Sequence, residues 1–104
     1  MQFMVLGYDG NDDQALERRM AAREAHIARG EELRDAGHML CGAALLDDDG
    51  KMIGSVILCD FASRKDLDQW LESEPYMTSG VWQKVEIKNC RVAPNLVGLK
   101  PLQV

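Results

Sequence analysis

The sequence predicts an α+β fold of the ferredoxin-like kind, in which an antiparallel sheet carries two helices on one face. Two observations predict this fold: the order of elements is β-α-β-β-α-β, and each apolar segment repeats with the period of its element. The chain has 104 residues, a common length for one domain. We therefore expect a single domain over residues 1–104, in which residues 92–104 form a C-terminal tail.

The first half of the chain starts with a strand and continues with a long helix. Residues 2–8 (QFMVLGY) form an apolar run bounded by DGND, which is typical of a central strand covered on both faces. Residues 14–36 have the apolar spacing of an amphipathic helix. Asp12 or Asp13 is available as its N-cap and Gly37 as its stop.

The second half begins with a predicted hairpin. Residues 38–46 and 51–61 are apolar segments joined by DDDG, and Gly50 can adopt the positive φ that a tight turn requires. A second helix is predicted over residues 63–73, where Ser63 and Asp66 resemble a capping box. Proline disfavours the helical conformation in the residue before it, so we expect the proline at position 75 to end this helix.

The last predicted strand covers residues 81–92, where apolar and charged residues alternate. This alternation places Trp82 on the same side as Lys84 and Glu86. The sheet face opposite the helices also carries apolar side chains and needs a cover. We expect a second copy of the chain to provide it, giving a homodimer or a multiple of dimers, although the tail could also dock there.

Composition and charge exclude several classes of function. The net charge is −5 and no basic run is present, which argues against nucleic-acid binding. No apolar run approaches the roughly 20 residues of a membrane helix, and the N-terminus lacks the features of a signal peptide. We therefore expect a cytoplasmic protein that does not associate with a membrane.

The three cysteines predict neither disulfides nor a metal site. Cys41, Cys59 and Cys90 are far apart and lie in strand-like segments, so buried, reduced thiols are expected. His38 and Cys41 are three residues apart, which places them on opposite faces of a strand. We expect no metal.

The first helix places positive side chains on an arc that should face the core. At about 100° per residue, Arg19, Arg23 and His26 lie between two apolar groups, whereas the acidic residues occupy the opposite arc. The two apolar groups are Leu16, Met20 and Ile27, and Ala15, Ala22 and Leu33. One interpretation is structural, with arginines that extend to water and a hydrogen-bonded core histidine. The other is a polar pocket, in which arginines attract an anion and His26 transfers protons.

Two further segments can also be interpreted either as structural or as part of a functional site. Gly54 and Ser55 interrupt an apolar strand, and a glycine in a strand often allows close approach of a ligand. Glu74 precedes Pro75 at a helix end, where functional residues are frequent. The structural alternatives are a hydroxyl bonded to the backbone for Ser55 and a solvated helix end for Glu74.

Residues 20–58 and 70–90 together resemble the YciI-like (YCII) family, and the resemblance extends over about residues 2–91. The features that carry it are Arg23-x-x-His26, Gly54-Ser55, and EPY at 74–76 followed by Gly80 and V-x-I at 85–87. The family is similar to the dimeric α+β barrels, which are built from ferredoxin-like subunits. The resemblance therefore implies the same ferredoxin-like fold that the order of elements predicts.

The resemblance also implies a His–Asp dyad. The histidine corresponds to His26, and the acid corresponds to Glu74, where this chain has glutamate in place of aspartate. The serine and proline beside the dyad correspond to Ser55 and Pro75. Where the family's chemistry is known, it is cofactor-free proton transfer on small hydroxylated rings. Dehydrochlorination of a chlorinated hydroxyhydroquinone in aromatic degradation is one example, and muconolactone-type isomerases share the broader fold.

Together with the polar pocket, the resemblance therefore implies a lyase or an isomerase that needs neither a metal nor an organic cofactor. His26 would take a proton from a small anionic or phenolic ligand, and Glu74 would orient its ring. Arg23 and Arg19 would hold the ligand's negative charge. The alternative is a non-catalytic binding module for a small ligand. In that case, glutamate in place of aspartate at position 74 indicates that the dyad has lost its catalytic function.

Overall fold

The chain forms a four-stranded antiparallel sheet with helices on one face. A computed structural model describes residues 1–98, so residues 99–104 of the predicted tail lie outside the described residues. The elements are β1 (Gln2–Asp9), α1 (Ala15–Asp35), β2 (Met39–Leu46), β3 (Met52–Asp60), α2 (Arg64–Glu72), α3 (Pro75–Thr78), β4 (Trp82–Cys90) and a 3-10 turn (Pro94–Leu96). The strand order is β2-β3-β1-β4. The ferredoxin-like prediction is confirmed, with α3 as an additional helical turn.

Strand β1 lies in the centre of the sheet, between β3 and β4, as its apolar sequence predicts. Successive side chains of a strand point to opposite faces. Phe3 and Val5 point towards the helices and are fully buried, whereas Met4 and Leu6 lie on the other face and are half-buried. The core of the described chain thus lies between the sheet and the helices.

The N-terminus of α1 differs from the prediction, because neither aspartate is the N-cap. Gln14 occupies that position without a side-chain cap, and Asp12 Oδ2 accepts a hydrogen bond from Gln14 N–H at 3.3 Å. Asp12 also pairs with Arg18 at 2.8 Å. Gly37 ends the helix with a φ of 84°, as expected for a stop residue.

The buried side of α1 is narrower than the wheel predicts. Ala15, Ala22 and Leu33 pack against the sheet and are buried, whereas Met20 and Ile27 are exposed. Only one of the two apolar groups therefore contacts the core. His26 lies at the boundary between the packed side and the open side, where a cavity can reach it.

The connection between α2 and β4 also differs from the prediction. Ser63 accepts a hydrogen bond from Asp66 N–H at 3.2 Å, so the predicted cap forms. However, α2 ends at Glu72, and Pro75 is the first residue of α3 rather than the end of α2. A proline suits this position because its fixed φ matches the helix. The N–H that proline lacks would have no partner within the helix at this position, so no helical hydrogen bond is lost.

Strand β4 places Trp82 on the face opposite to the one predicted. The pairing register with β1 shifts between Tyr8 and Asp9, which turns Trp82 towards the helices, where it is buried. Its indole lies directly against Gly7, where an added Cβ would be 2.4 Å from the ring. Any larger residue at position 7 would displace the indole.

The sheet face without helices is partly covered by the described part of the tail. Val92, Leu96 and Val97 line a small groove with Cys41 and Leu58. Leu96 and Val97 remain exposed, so this segment does not close the face.

The cysteine prediction is confirmed only in part. Cys59 is buried, but Cys41 is exposed and Cys90 is half-buried, and all three are free thiols. Burial raises the pKa of the Cys59 thiol to about 11. Within residues 1–98, no group of three His, Cys, Asp or Glu side chains is arranged to hold a metal ion. No helix of this described part is long and apolar enough to cross a membrane.

Candidate active site

A cavity of about 460 Å³ lies between α1, α3 and the two strands β2 and β3. Its volume is within the usual range for small-molecule sites. One part of its lining is polar and includes Arg19, Arg23, His26, Ser55 and Tyr76. Apolar residues, including Ile27, Met39, Met52 and Ile57, form much of the remainder.

His26 and Glu74 are brought together at this cavity. His26 Nδ1 is hydrogen-bonded to Glu74 Oε1, although the two residues are 48 positions apart in the chain. The Glu74 side chain is 0 % exposed and that of His26 is 19 % exposed. Glu74 is therefore a buried partner of the histidine rather than a solvated helix end.

Local structure at the start of α3 explains why Glu74 reaches the histidine. Glu74 is the N-cap of this helix, and its Oε2 accepts a hydrogen bond from Tyr76 N–H at 2.6 Å. Side-chain oxygens at N-cap positions commonly satisfy a free N–H group of the first turn. One carboxylate oxygen thus caps α3, and the other is hydrogen-bonded to His26. The carboxyl group is therefore fixed at both oxygens.

Aromatic packing fixes the plane of the His26 ring. The ring stacks on Tyr76 with centroids 3.8 Å apart and an angle of 9° between planes. Trp82 packs against it in a T-shaped arrangement at a centroid distance of 5.9 Å. Since Nδ1 bonds to Glu74, Nε2 is the nitrogen that remains available to a ligand. Burial raises the pKa of the Tyr76 phenol, which therefore stays protonated near neutral pH.

A second polar group lies beside the dyad, around the buried side chain of Arg19. Its Nη1 donates to both oxygens of Asp9, at 3.0 and 3.1 Å, and its Nη2 donates to Ser55 Oγ at 3.0 Å. Trp82 Nε1 donates to the same Ser55 oxygen at 3.2 Å. Burial raises the pKa of Asp9, while Arg19 acts in the opposite direction. The charge of Arg19 is therefore balanced within the protein.

The sequence interpretation missed Asp9 and Trp82. Asp9 has a recognisable signal, because it is the first charged residue after an apolar central strand and lies near the start of α1. Trp82 has no such signal, since only the register shift turns its indole towards the site.

The other residues suggested by the sequence take different positions. Arg23 is exposed, lines the cavity and forms none of the ion pairs found within residues 1–98. Pro75 is half-buried and is not among the cavity-lining residues. Its contribution is to start α3 directly after Glu74 and so to help place the carboxylate.

A family model described as the YCII-related domain matches residues 1–91. The chain belongs to the YCII-related family. Protein YciI of Escherichia coli is 30 % identical to it over 94 residues, which cover 85 % of this chain and 94 % of that protein. The resemblance identified from Arg23-x-x-His26, Gly54-Ser55 and the EPY segment is confirmed.

Solved structures show the same fold at low sequence identity. The YCII-family chain resembles 5-chloro-2-hydroxyhydroquinone dehydrochlorinase from Burkholderia phenoliruptrix AC1100, solved in complex with 2,5-dihydroxybenzoquinone. That likeness has a TM-score of 0.76 at 21 % identity and covers 91 % of this chain and 98 % of the other. A dimeric ferredoxin-like protein of unknown function from Jannaschia sp. CCS1 has a TM-score of 0.55 at 13 % identity, with 88 % and 98 % covered. Both likenesses concern the fold alone.

Proposed function

We propose that this YCII-family protein is a cofactor-independent enzyme that transfers protons on a small hydroxylated ring compound. The reaction is that of a lyase of the dehydrochlorinase type or of an isomerase. One observation carries the proposal: the buried carboxylate of Glu74 bonds to Nδ1 of His26, and His26 lines a cavity with Nε2 available. A histidine held in this way is suited to act as a general base.

His26 is assigned the proton transfer and Glu74 the orientation of the ring. With Nδ1–H donating to Glu74, Nε2 carries the lone pair that takes a proton from a ligand hydroxyl or an acidic C–H. Glu74 stabilises the imidazolium that forms. General acid–base help of this kind contributes about 10² to 10⁴-fold in rate.

The two reaction types differ in the step after proton removal. In a dehydrochlorination, one hydroxyl proton is first transferred to the ring carbon that carries chlorine, which gives a keto tautomer. When His26 then removes a second hydroxyl proton, the electron pair left on that oxygen moves through the ring, and chloride leaves with the electrons of the C–Cl bond. The substrate loses one proton and one chloride, so no oxidant is required. In an isomerisation, His26 returns the proton to another carbon atom. The chlorinated substrate of the Burkholderia dehydrochlorinase motivates the first type.

The charges around the cavity favour an anionic or phenolic ligand. Arg23 lines the cavity without an ion-pair partner in the described part of the chain, so we assign it to the ligand's negative charge. Arg19 already pairs with Asp9 and adds little net charge to the cavity. We therefore assign Arg19 to positioning rather than to anion binding.

We also propose that the protein is a homodimer that uses the sheet face without helices. Met4 and Leu6 on β1 and Val56 and Leu58 on β3 lie on this face and are only half-buried. The similar Jannaschia protein is described as dimeric. A second copy of the chain would cover the apolar side chains that the tail leaves open.

The second candidate is a ligand-binding module without turnover. It is favoured by the glutamate at position 74, whose arm is one carbon longer than that of the family's aspartate. In such a protein the cavity still binds an anionic ring, but the ligand is released unchanged.

Turnover of 5-chloro-2-hydroxyhydroquinone, measured as chloride release, separates a dehydrochlorinase from a binding module. We expect His26→Ala to lower turnover at least 10²-fold. The matched control is His38→Ala, because His38 lies outside the cavity and its Nδ1 donates to the Asp60 carbonyl at 2.8 Å. Binding without chloride release by the wild-type protein would favour the binding module. Equal turnover of the His26→Ala and His38→Ala variants would refute the enzymatic proposal for this substrate.

A further inference from the structure

The hydroxyl group of Ser55 accepts two hydrogen bonds. Arg19 Nη2 donates to its oxygen at 3.0 Å and Trp82 Nε1 donates at 3.2 Å. A guanidinium and an indole N–H can only donate, so neither bond can reverse its direction. A hydroxyl oxygen has two lone pairs, and these two donors occupy both of them. Ser55 can therefore act towards any further partner only as a donor.

The Ser55 proton has no acceptor among the described residues. Ser55 is 2 % exposed and lines the cavity. Within residues 1–98, its hydroxyl receives hydrogen bonds but donates to no protein acceptor. A buried donor without an acceptor is unfavourable, because it loses the hydrogen bond that water would provide. A ligand oxygen in the cavity would relieve this cost.

Both donors to Ser55 are held rigidly. Arg19 is anchored by the two oxygens of Asp9, and its guanidinium lies 4.8 Å from the centre of the Tyr76 ring. The Trp82 indole lies against Gly7 and packs in a T-shaped arrangement with the His26 ring. A serine hydroxyl normally rotates to suit its neighbours, but these two bonds fix the direction of the remaining proton.

We propose that Ser55 is a donor-only group that selects an acceptor oxygen on the ligand, such as a phenolate, an enolate or a quinone carbonyl. Trp82 and Arg19 are its positioning residues. The inference rests on the proposed function and deepens it, because it assigns a hydrogen-bond donor to an oxygen of the ligand from which His26 removes the proton. When His26 removes that proton, negative charge spreads through the ring onto conjugated oxygens. A fixed donor at such an oxygen stabilises the charge as it develops.

The first measurement tests the bond network in the protein without ligand. The indole N–H signal of Trp82 in a ¹H–¹⁵N spectrum reports its bond to Ser55, and Trp82→Phe assigns the signal. Trp70 is an internal control, because its buried Nε1 has no partner within residues 1–98. Ser55→Ala should move the Trp82 signal upfield and leave that of Trp70 in place. An unchanged Trp82 signal would overturn the proposal.

The second measurement compares the binding of 2,5-dihydroxybenzoquinone and benzene-1,4-diol. We expect Ser55→Ala to weaken binding of the quinone about 10- to 100-fold, the range for a hydrogen bond to a charged acceptor. The same substitution should weaken binding of the diol about tenfold at most, because the oxygens of the diol are neutral. Ser55→Cys keeps a donor atom at the same position, although sulfur is larger than oxygen and donates weakly. For this variant too, binding of the quinone should weaken more than binding of the diol. Ser73→Ala is the matched control, since that hydroxyl bonds to Arg29 and to the Trp70 carbonyl, and Ser73 does not line the cavity.

Trp82→Phe tests the donor-only character itself. This variant frees one lone pair of Ser55, so the oxygen can also accept from a ligand hydroxyl. The preference for the quinone over the diol should narrow about three- to tenfold, as expected for one neutral hydrogen bond. The measured quantity is the ratio of the dissociation constants of the two ligands in one variant. This ratio cancels general effects of the lost indole on the cavity.

The outcomes separate this inference from the proposed function. If the wild-type protein binds the quinone and both Ser55 variants bind it equally well, only the role of Ser55 is refuted. If the wild-type protein binds neither compound at millimolar concentration, the proposed ligand class and the role of Ser55 fail together. Should Ser55→Ala not fold, Ser55→Cys provides the decisive comparison.

Discussion

Replacement of Glu74 by glutamine should change the tautomer of His26. Both oxygens of Glu74 accept hydrogen bonds, one from His26 Nδ1 and the other from Tyr76 N–H at 2.6 Å. Glutamine has a single oxygen, and the rigid backbone N–H of Tyr76 requires it. The amide nitrogen then faces His26, so Nδ1 must become the acceptor. The proton moves to Nε2, which can no longer act as a base.

This geometry sets the expected size of the effect. A wrong histidine tautomer lowers turnover about 10⁴-fold in a comparable histidine–carboxylate pair. We expect Glu74→Gln to lower turnover by about 10³ to 10⁴-fold, close to the effect of removing the imidazole. Loss of charge alone, with the tautomer retained, would have a smaller effect. Glu74→Asp is the matched control, because both oxygens stay acceptors and the tautomer is kept. Its turnover should fall less than about tenfold.

Two measurements check the prediction. Turnover is measured for Glu74→Gln, Glu74→Asp and the wild type, and ¹⁵N shifts of His26 show which ring nitrogen carries the proton. The protonated nitrogen should change from Nδ1 to Nε2 only in the glutamine variant. A glutamine variant with Nε2 protonated that still keeps more than a tenth of the wild-type turnover would refute His26 as the base.

Four further results are expected. His26→Ala should lower the free energy of unfolding by about 1 to 3 kcal/mol, because it leaves a buried carboxylate without a donor, and chemical denaturation should show partial recovery in His26→Gln. Light scattering should find a dimer at micromolar concentration and a monomer for Leu6→Glu, and a monomeric wild type would contradict the proposed interface. The Arg18 guanidinium lowers the pKa of Asp12 from 3.8 to about 2. The resulting stabilisation is full above pH 3.8 and lost towards pH 2, so thermal melts of the wild type and Asp12→Asn should converge at the acid end. Burial raises the pKa of Cys59 from 9.0 to about 11, so stability should fall between pH 9 and 11, and Cys59→Ala should flatten that dependence.

Local sequence patterns were sufficient for the fold and for part of the site. The apolar run of β1 predicted a central strand, and Gly50 predicted the turn, where its φ is 84°. The helical period placed His26 towards the sheet side of α1, because residues on one face of a helix recur about every 3.6 positions. The motif around residues 74–76 indicated which carboxylate to examine.

Tertiary structure decided the bonds that connect the site residues. Periodicity specifies which residues share a face of one element, but it does not specify how far two elements approach each other. The Glu74 carboxylate reaches His26 because Pro75 starts a new helix that Glu74 caps, whereas the sequence predicted only the end of α2. Arg19 was expected to bind a ligand anion, but the end of β1 places Asp9 beside it.

The position of Trp82 depends on the pairing of strands rather than on its neighbours in the sequence. Regular alternation predicts its side chain on the charged face of β4, but a one-residue shift in pairing reverses the face of a strand residue. The register shift beside Asp9 turns the indole inward, where the missing side chain of Gly7 leaves room for it. Ser55 therefore acquires its second donor from a residue 27 positions away. Strand pairing brings together residues that are distant in the chain. For this reason, only the three-dimensional fold determines the contact between Trp82 and Ser55.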